Sequence, residues 1–541
     1  MFPTLTDAQI ARVSTCAIEC RFGEHDVLYE PGDLDLPMYV VLEGVIEIIH
    51  PHERVEDAIA LIGPREFTGE VNLLSDGRAL VRARARTPVR AFKIEHARLH
   101  TLIQNDSELS DVLLRAFLLR RVALIETGQG DAIVIGSQSS AATTRLLAFL
   151  VQNIHPHRYL DVDRDPDVER LLGHFGVGID DIPVLICRGE RVLRHPSDAE
   201  AADCLGFNPT LAPETVHDLV ICGAGPAGLA SAVYAASEGL DVVIVESYAP
   251  GGQAATSSKI ENYLGFPTGI AGGKLMASAL AQAEKFGARL LVAKTVERLA
   301  AEERSYRLVL SGGASLRART VILATGVEYR KLDVPGREQF EGVGIYYAAT
   351  QVEAQRCPND DVVVIGGANS AGQAASFLAR TCRQVHMLVR GPNLSEHMSR
   401  YLVRRLEDTP NIFIHTRSRV TAFEGNHHLE SITWHDDTTG ADTRLSCRNV
   451  FSMAGADPQT DWLRDFVHVD PRGFIVTGPE LSAADLVAAG WPRQRRPYLL
   501  ETSRPGIFAV GDVRAAKIKR VASAVGEGSV CVQLVQQTLT E

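Results

Sequence analysis

Val220-Ile221-Cys222-Gly223-Ala224-Gly225-Pro226-Ala227-Gly228 is an apolar run that enters a glycine-rich turn and opens a helix-forming segment. Val363-Val364-Ile365-Gly366-Gly367-Ala368-Asn369-Ser370-Ala371 repeats the pattern further along the chain. In the first turn Gly223 suits a tight bend, Gly225 lets a pyrophosphate approach the backbone, and Gly228 lets helix and strand pack closely. A pyrophosphate there meets free N–H groups and the positive end of a helix. The next strand, Val242-Val243-Ile244-Val245, ends in Glu246, 18 residues past Gly228 (246 − 228). That is where an acid takes a ribose 2′-hydroxyl. Two such turns on one chain imply two dinucleotides held close together, with hydride exchange between them.

The second turn carries Ala368 where the middle glycine would stand, and its strand, Val385-His386-Met387-Leu388-Val389, ends in Arg390. Arg390 lies 19 residues past Ala371 (390 − 371). An arginine there accepts a 2′-phosphate, whereas an acid would repel it. The pattern therefore favours NADPH over NADH, with Gly366, Gly367, Ala368, Asn369, Ser370 and Ala371 around the nucleotide. Gly391 follows where a second arginine would help, so Arg400 and Arg404 are further candidates. A solvated strand-end charge is the alternative reading of Arg390.

Further segments narrow the ligands: Gly251-Gly252-Gln253, Glu261-Asn262-Tyr263, Val321-Ile322-Leu323-Ala324-Thr325-Gly326, and Gly506-Ile507-Phe508-Ala509-Val510-Gly511-Asp512. Together with the two turns, they make residues 214 to 541 resemble the low-molecular-weight thioredoxin reductase family. The resemblance implies FAD as the flavin. Its ligands would be Gly223, Gly225, Pro226, Ala227, Gly228, Glu246, Gly252, Gln253, Asn262, Ala324, Thr325, Gly326, Gly511 and Asp512, the last on the ribityl chain. Lys519, Arg520, Val521 and Ala522 match the family's flavin-contacting segment. The implied domains are FAD-binding over 214–330 and 455–541, and NAD(P)H-binding over 331–454.

One part of the family pattern is missing. Its Cys-x-x-Cys pair, followed by an acid, falls on Ala348, Gln351 and Val352. Dithiol exchange needs a thiolate nucleophile and a resolving thiol. Neither alanine nor glutamine can serve. No Cys-x-x-Cys occurs in the chain; Cys357 and Cys382 are the nearest replacements, and most of the 9 cysteines read as buried structural thiols without disulfide or zinc spacing. No metal site is expected. Tyr346, Tyr347 and Gln351 are candidates for the surroundings of the flavin, with ordinary packing as the alternative.

Residues 1–125 are β-rich. The Pro31-Gly32-Asp33 turn, Gly44 between two strands, and Phe67-Thr68-Gly69-Glu70 followed by Gly77-Arg78-Ala79 resemble a cyclic nucleotide-binding β-roll. The resemblance implies Glu70 on the ribose 2′-hydroxyl and Arg78 on the cyclic phosphate; a purely structural β-roll is the alternative. Residues 130–207 read in the order βαβαββα and resemble the thioredoxin/glutaredoxin fold, with Pro183 at the family's cis-proline position. Its redox loop would be Gly136-Ser137-Gln138-Ser139-Ser140, again without cysteine. A plain α/β docking module is the alternative. The expected fold is thus multidomain, with two nested Rossmann-like α/β domains preceded by a β-roll and a thioredoxin-like α/β domain.

A chain of 541 residues is too long for one core. Its 45% hydrophobic and 23% charged residues are those of an ordinary globular protein. A net charge of −12 argues against nucleic acid or an anionic membrane as the main partner. No apolar run is long enough to span a membrane, and the first residues lack a signal-peptide pattern. A cytoplasmic protein is expected, and family analogy implies a homodimer. Pro492-Arg493-Gln494-Arg495-Arg496-Pro497 reads as a solvated basic loop.

Three functions compete. The first is an NADPH-dependent flavin oxidoreductase passing electrons straight to a small-molecule or redox-protein acceptor, with cyclic nucleotide regulation. The second is a thioredoxin-type disulfide reductase using other thiols. The third is a non-enzymatic redox or cyclic-nucleotide sensor.

Overall fold

The computed structural model describes all residues except 50–57, 75–76, 128–130, 138–139, 166–167, 169–175, 189–190, 258, 350, 427, 493 and 516–518. The chain divides into two compact units: Met1–Cys222 with Ala230–Ala249 and Ala279–Thr320, and Gly223–Leu229 with Pro250–Ser278 and Val321–Glu541.

The first unit begins with a helix, Asp7–Ser14, closed by a Thr6/Gln9 capping box. Two antiparallel sheets follow. One orders Ile18–Phe22, Val89–Ile94 and Met38–Glu43; the other orders Val27–Tyr29, Arg82–Ala85, Ile46–Ile49 and Ala58–Ile62. Burial alternates over the first residues of Val89–Ile94 and sends Val89 and Ala91 inward. The helices His96–Asn105 and Ser107–Thr127 complete this core, where Phe117 meets Phe67 edge-to-face at 6.1 Å.

The next module has the strand order Arg191–Arg194, Val184–Cys187, Ala132–Gly136, His157–Asp161, with only the last pair parallel. Ser140 and Ser197 cap the helices Ala141–Gln152 and Asp198–Leu205. The Ile182–Pro183 peptide is cis. Residues 166–167 and 169–175, within the stretch where the order βαβαββα places its second helix, lie outside the described residues, as do Gln138 and Ser139 of the expected redox loop.

This module also corrects the cysteine reading. Cys187 and Cys204 form a disulfide, with Cα atoms 6.4 Å apart. Cys187 ends a strand, the hairpin returns the chain, and Asp198–Leu205 lays Cys204 back over the sheet, so both sulfurs are buried. A separation of 17 residues carries no local sign of that closure.

The remaining sheet of this unit runs Arg289–Val292, Val242–Glu246, Val216–Cys222, Ser315–Leu323, Tyr306–Leu310, Val296–Ala301. Its first three strands are parallel, and Val242–Glu246 is buried throughout, as a strand covered on both faces must be.

In the second unit the strand end Val321–Leu323 pairs in parallel with Ile507–Ala509. Val327–Tyr329 pairs antiparallel with Ala456–Pro458, braced by an Arg330–Asp457 ion pair. Between those crossings lies a five-stranded parallel sheet ordered Ile345–Tyr346, Asn449–Ser452, Asp361–Ile365, Gln384–Val389, Ile412–Thr416. An antiparallel sheet of Ser418–Gly425, Leu429–Asp436 and Ala441–Ser446 follows it, and the helix Val521–Thr540 ends the chain. Among the described residues no helix is long and apolar enough to cross a membrane.

The loop around Arg495 also departs from the solvated reading. Arg495 forks onto Glu501, whose side chain is 0% exposed, with Nη1 2.6 Å away, and its Nε meets Glu541 at 2.6 Å. Its guanidinium lies 3.9 Å from the Tyr498 ring centroid. Glu501 also accepts N–H groups from Tyr498 and Gly506, both at 2.9 Å.

Candidate functional site

The first glycine-rich turn is built for close backbone approach. Gly223 sits at φ +107°, and a Cβ there would lie 2.4 Å from the Ala324 carbonyl oxygen. A Cβ on Gly228 would lie 1.9 Å from the Gly223 oxygen. A Cβ on Gly225 would meet nothing within 4 Å. The turn is thus closed on its strand and helix sides and open over Gly225. The helix Pro226–Ser237 starts at that opening, with Pro226 at its first position.

Other expected flavin residues converge on this turn. Gly251 donates to the Ala224 carbonyl at 2.7 Å, which brings Gly252 against Gly225. Gln253 donates its Nε2 to the Val327 carbonyl at 2.7 Å. Gly511 lies against Ala227, and its N–H donates to Glu527 at 2.7 Å. Thr325 Oγ1 is buried without a hydrogen-bond partner, beside Gly326, above which a Cβ would meet nothing. Burial raises the Asp512 carboxyl above its usual range, Glu527 adds to the rise and Lys519 opposes it. An open glycine face, an orphaned hydroxyl and a desolvated acid along one stretch fit a flavin dinucleotide.

Three expected residues are less engaged. Asn262, Arg520 and Ala522 are exposed, while Val521 is half-buried and opens the last helix, capped by Arg520. Glu246 ends its strand in the first unit, where its carboxylate accepts the Tyr248 N–H at 3.0 Å.

In the second turn a Cβ on Gly366 would lie 2.6 Å from the Met453 oxygen, and one on Gly367 2.8 Å from Val389. Ala368 caps the helix Asn369–Leu378, Asn369 Oδ1 accepts the Ser399 N–H at 2.8 Å, and Ala371 is fully buried. Gly372, which the sequence reading passed over, makes the close helix–helix approach, with a would-be Cβ 2.7 Å from Leu402. Arg390 is exposed and makes no ion pair among the described residues. An exposed free cation at the strand end fits a nucleotide 2′-phosphate.

Tyr329 is a second residue that sequence reasoning missed. Burial raises its pKa, and its hydroxyl also feels the nearby Ser370 side chain of the second turn and the charge of Asp512. It lies on the crossing strand Val327–Tyr329.

Ala348 is half-buried and Gln351 begins the short helix Gln351–Ala354, its side chain lying outside the described residues. Tyr346 is 8% exposed and packs on Phe451 with ring centroids 5.6 Å apart; Tyr347 donates to Glu341 at 2.7 Å. Both tyrosines thus have packing partners of their own.

In the β-roll, Glu70 Oε2 accepts from Arg121 Nε at 2.9 Å and lies 2.8 Å from its Nη2, while Glu70 Oε1 is buried without a partner. That orphaned oxygen fits a ribose hydroxyl. Thr68, buried, accepts the Tyr39 N–H at 3.0 Å, which accounts for a residue between Phe67 and Gly69. Arg78 packs against Gly206 and donates weakly to the Gly32 carbonyl at 3.4 Å. The Glu284 carboxyl is pushed up to about 7 by desolvation, with Glu70 adding to the rise and Arg121 opposing it.

Residues 217–528 match the family model for pyridine nucleotide-disulphide oxidoreductases, and residues 19–106 match that for cyclic nucleotide-binding domains. A thioredoxin reductase of Treponema pallidum is 34% identical over 316 residues, 58% of this chain and 95% of that protein. One of Ureaplasma parvum is 33% identical over 330 residues, 60% of this chain and 98% of that protein. The crystal structure of Lactococcus lactis thioredoxin reductase covers 60% of this chain and 99% of its own, at 27% identity and a TM-score of 0.54. The chain therefore belongs to the pyridine nucleotide-disulphide oxidoreductase family, as a thioredoxin reductase-like, NAD(P)H-dependent flavin oxidoreductase with FAD and NADPH as cofactors and a cyclic nucleotide-binding domain before its catalytic core.

Proposed function

We propose that the protein passes electrons from NADPH through FAD directly to an acceptor outside the chain, a small molecule or a redox protein, without an internal dithiol. The observation that carries this reading is the pair Ala348 and Gln351 at the family's cysteine positions. When bound, the two cofactors supply hydride transfer. The chain's residues position the rings and exclude water.

In this reading FAD occupies 214–330 and 455–541. Gly225 and the start of Pro226–Ser237 take its pyrophosphate, Glu246 its ribose, Thr325 a polar edge, and Asp512 its ribityl chain. NADPH occupies 331–454, with Arg390 on the 2′-phosphate. Tyr329, near Ser370 and Asp512, helps set the second turn against the flavin segment. The β-roll, residues 1–125, takes a cyclic nucleotide at Glu70 and Arg78 and sets the rate. The protein works as a homodimer in the cytoplasm, as the resemblance implies.

Reduction of a protein disulfide through other thiols is the second reading, and the closeness of Cys357 and Cys382 (Sγ–Sγ 3.8 Å) is what favours it. Their place speaks against a relay. They precede the strands Asp361–Ile365 and Gln384–Val389, whereas Gly366 and Arg390 follow them. Five residues in one strand and six in the other separate the two ends by about 16–20 Å.

The test is anaerobic stopped-flow reduction of the holoprotein by NADPH and by NADH, with and without cyclic AMP, followed by mixing with candidate acceptors. Rapid bleaching by NADPH and reoxidation by a quinone or a redox protein, altered by cyclic AMP, supports the proposal. Reoxidation by a disulfide substrate alone, lost in Cys357→Ser or Cys382→Ser, supports the second reading.

A further inference from the structure

Cys357 and Cys382 belong to none of the sites above, yet they are arranged for chemistry with each other. Cys357 lies between the short helix Gln351–Ala354 and the strand Asp361–Ile365. Cys382 lies between the helix Asn369–Leu378 and the strand Gln384–Val389. Those strands are parallel neighbours, with Asp361 opposite Gln384. The two turns that carry the cysteines are already joined. Asn359 N–H donates to the Thr381 carbonyl at 2.9 Å, and Arg383 N–H to the Asp360 carbonyl at 2.9 Å. Arg383 and Asp361 add a two-point ion pair at 2.7 and 2.8 Å. Within this brace the Cys382 thiol donates to the Cys357 carbonyl at 3.4 Å, and the sulfurs stand 3.8 Å apart.

We propose that Cys357 and Cys382 are a redox modification site, a dithiol that a hydroperoxide closes into an intramolecular disulfide. Bonding distance between the sulfurs is about 2.05 Å, so side-chain rotation must bring them less than about 2 Å closer. The braced turns hold the backbone for that rotation.

The two thiols are not equivalent. Cys357 is 0% exposed and Cys382 6%. Cys382, the more exposed of the two, is the attacking thiol and Cys357 the resolving thiol.

Cys382 sulfur attacks the terminal peroxide oxygen. The O–O bond breaks, a sulfenic acid forms on Cys382, and the alkoxide or hydroxide leaves and takes a proton. Cys357 sulfur then attacks Cys382 sulfur. The S–O bond breaks and water leaves with the Cys357 proton. Two thiols lose two electrons, and the hydroperoxide gains them as alcohol, or water, plus water.

The crosslink ties the entry ends of the two strands, while the nucleotide turn lies at their exit ends. It closes a loop of 25 residues in sequence separation and so stabilises this sheet without blocking NADPH.

The test uses the full-length holoprotein, reduced with dithiothreitol and freed of it under argon. Cumene hydroperoxide is added at one equivalent, the remaining thiols are alkylated, and the intact mass and peptides are analysed. The expected result is loss of two hydrogen masses and a Cys357–Cys382 crosslinked peptide, reversed by dithiothreitol. NADPH-driven flavin bleaching keeps its rate, and the unfolding temperature rises. Full alkylation of both cysteines would overturn the proposal. So would sulfinic acid on either without a crosslink, or a crosslink from Cys357 to Cys447.

Discussion

Arg390 gives the sharpest handle on nucleotide choice. It ends the strand Gln384–Val389, is exposed, and makes no ion pair among the described residues. Replacing it with serine removes no ion pair among the described residues and should leave folding stability within about 0.5 kcal/mol of the parent. A hydrogen bond to a charged group is worth about 1.5–3 kcal/mol, and solvent access at Arg390 places its contribution near the lower end. At about 1.4 kcal/mol per decade, Arg390→Ser should lower kcat/KM for NADPH about 10- to 30-fold. NADH lacks the phosphate, so its kcat/KM should change less than about threefold. The assay is anaerobic stopped-flow bleaching of the flavin across a range of each nucleotide. Equal losses for both nucleotides, or none for NADPH, would refute the assignment and move attention to Arg400 and Arg404.

Two glycines of the first turn should fail in different ways. Gly228→Ala puts a methyl 1.9 Å from a backbone oxygen that has no rotamer to move, so it should cost at least about 1–3 kcal/mol and yield colourless protein. Gly225→Ala meets nothing in the protein and should keep the apoprotein's unfolding midpoint while weakening FAD binding in a titration. Glu501→Gln should cost about 3 kcal/mol in denaturant unfolding, because Arg495 and two backbone N–H groups lose a buried carboxylate. His386 Nδ1 and His415 Nε2 meet at 3.1 Å, and burial lowers the pKa of both. Groups whose pKa falls on folding bind fewer protons when folded. Their stabilisation is complete above the unfolded value of about 6.5 and is lost as pH drops below it through the folded values. Urea midpoints should therefore fall from pH 7 to pH 5, and His386→Asn should flatten that slope.

The parts of the site legible in the sequence are those written in consecutive residues. Gly223 to Gly228, Glu246 at a strand end, and the small-residue turn Ala324-Thr325-Gly326 after the strand Ser315–Leu323 each follow from local geometry that only certain residues satisfy. The rest depends on residues far apart in the chain. Tyr329 comes near Ser370 only through the crossing strand on which it lies. Arg121 meets Glu70 across 51 residues because a long helix returns over the β-roll. Cys187 finds Cys204, and Arg495 finds Glu541, through closures that leave no local pattern. Gly372 was hidden for another reason: the motif directs attention to helix–strand packing at Ala371, whereas the tight approach here is helix on helix one residue later.

The central claim is that reduced flavin hands its electrons outward with no sulfur between. Counting alkylatable thiols in denatured protein, before and after complete anaerobic reduction of the purified holoprotein by NADPH, tests it most directly. One NADPH oxidised per FAD bleached, with an unchanged thiol count, is the expected result. Two NADPH oxidised per FAD, with two new thiols per flavin, would contradict it.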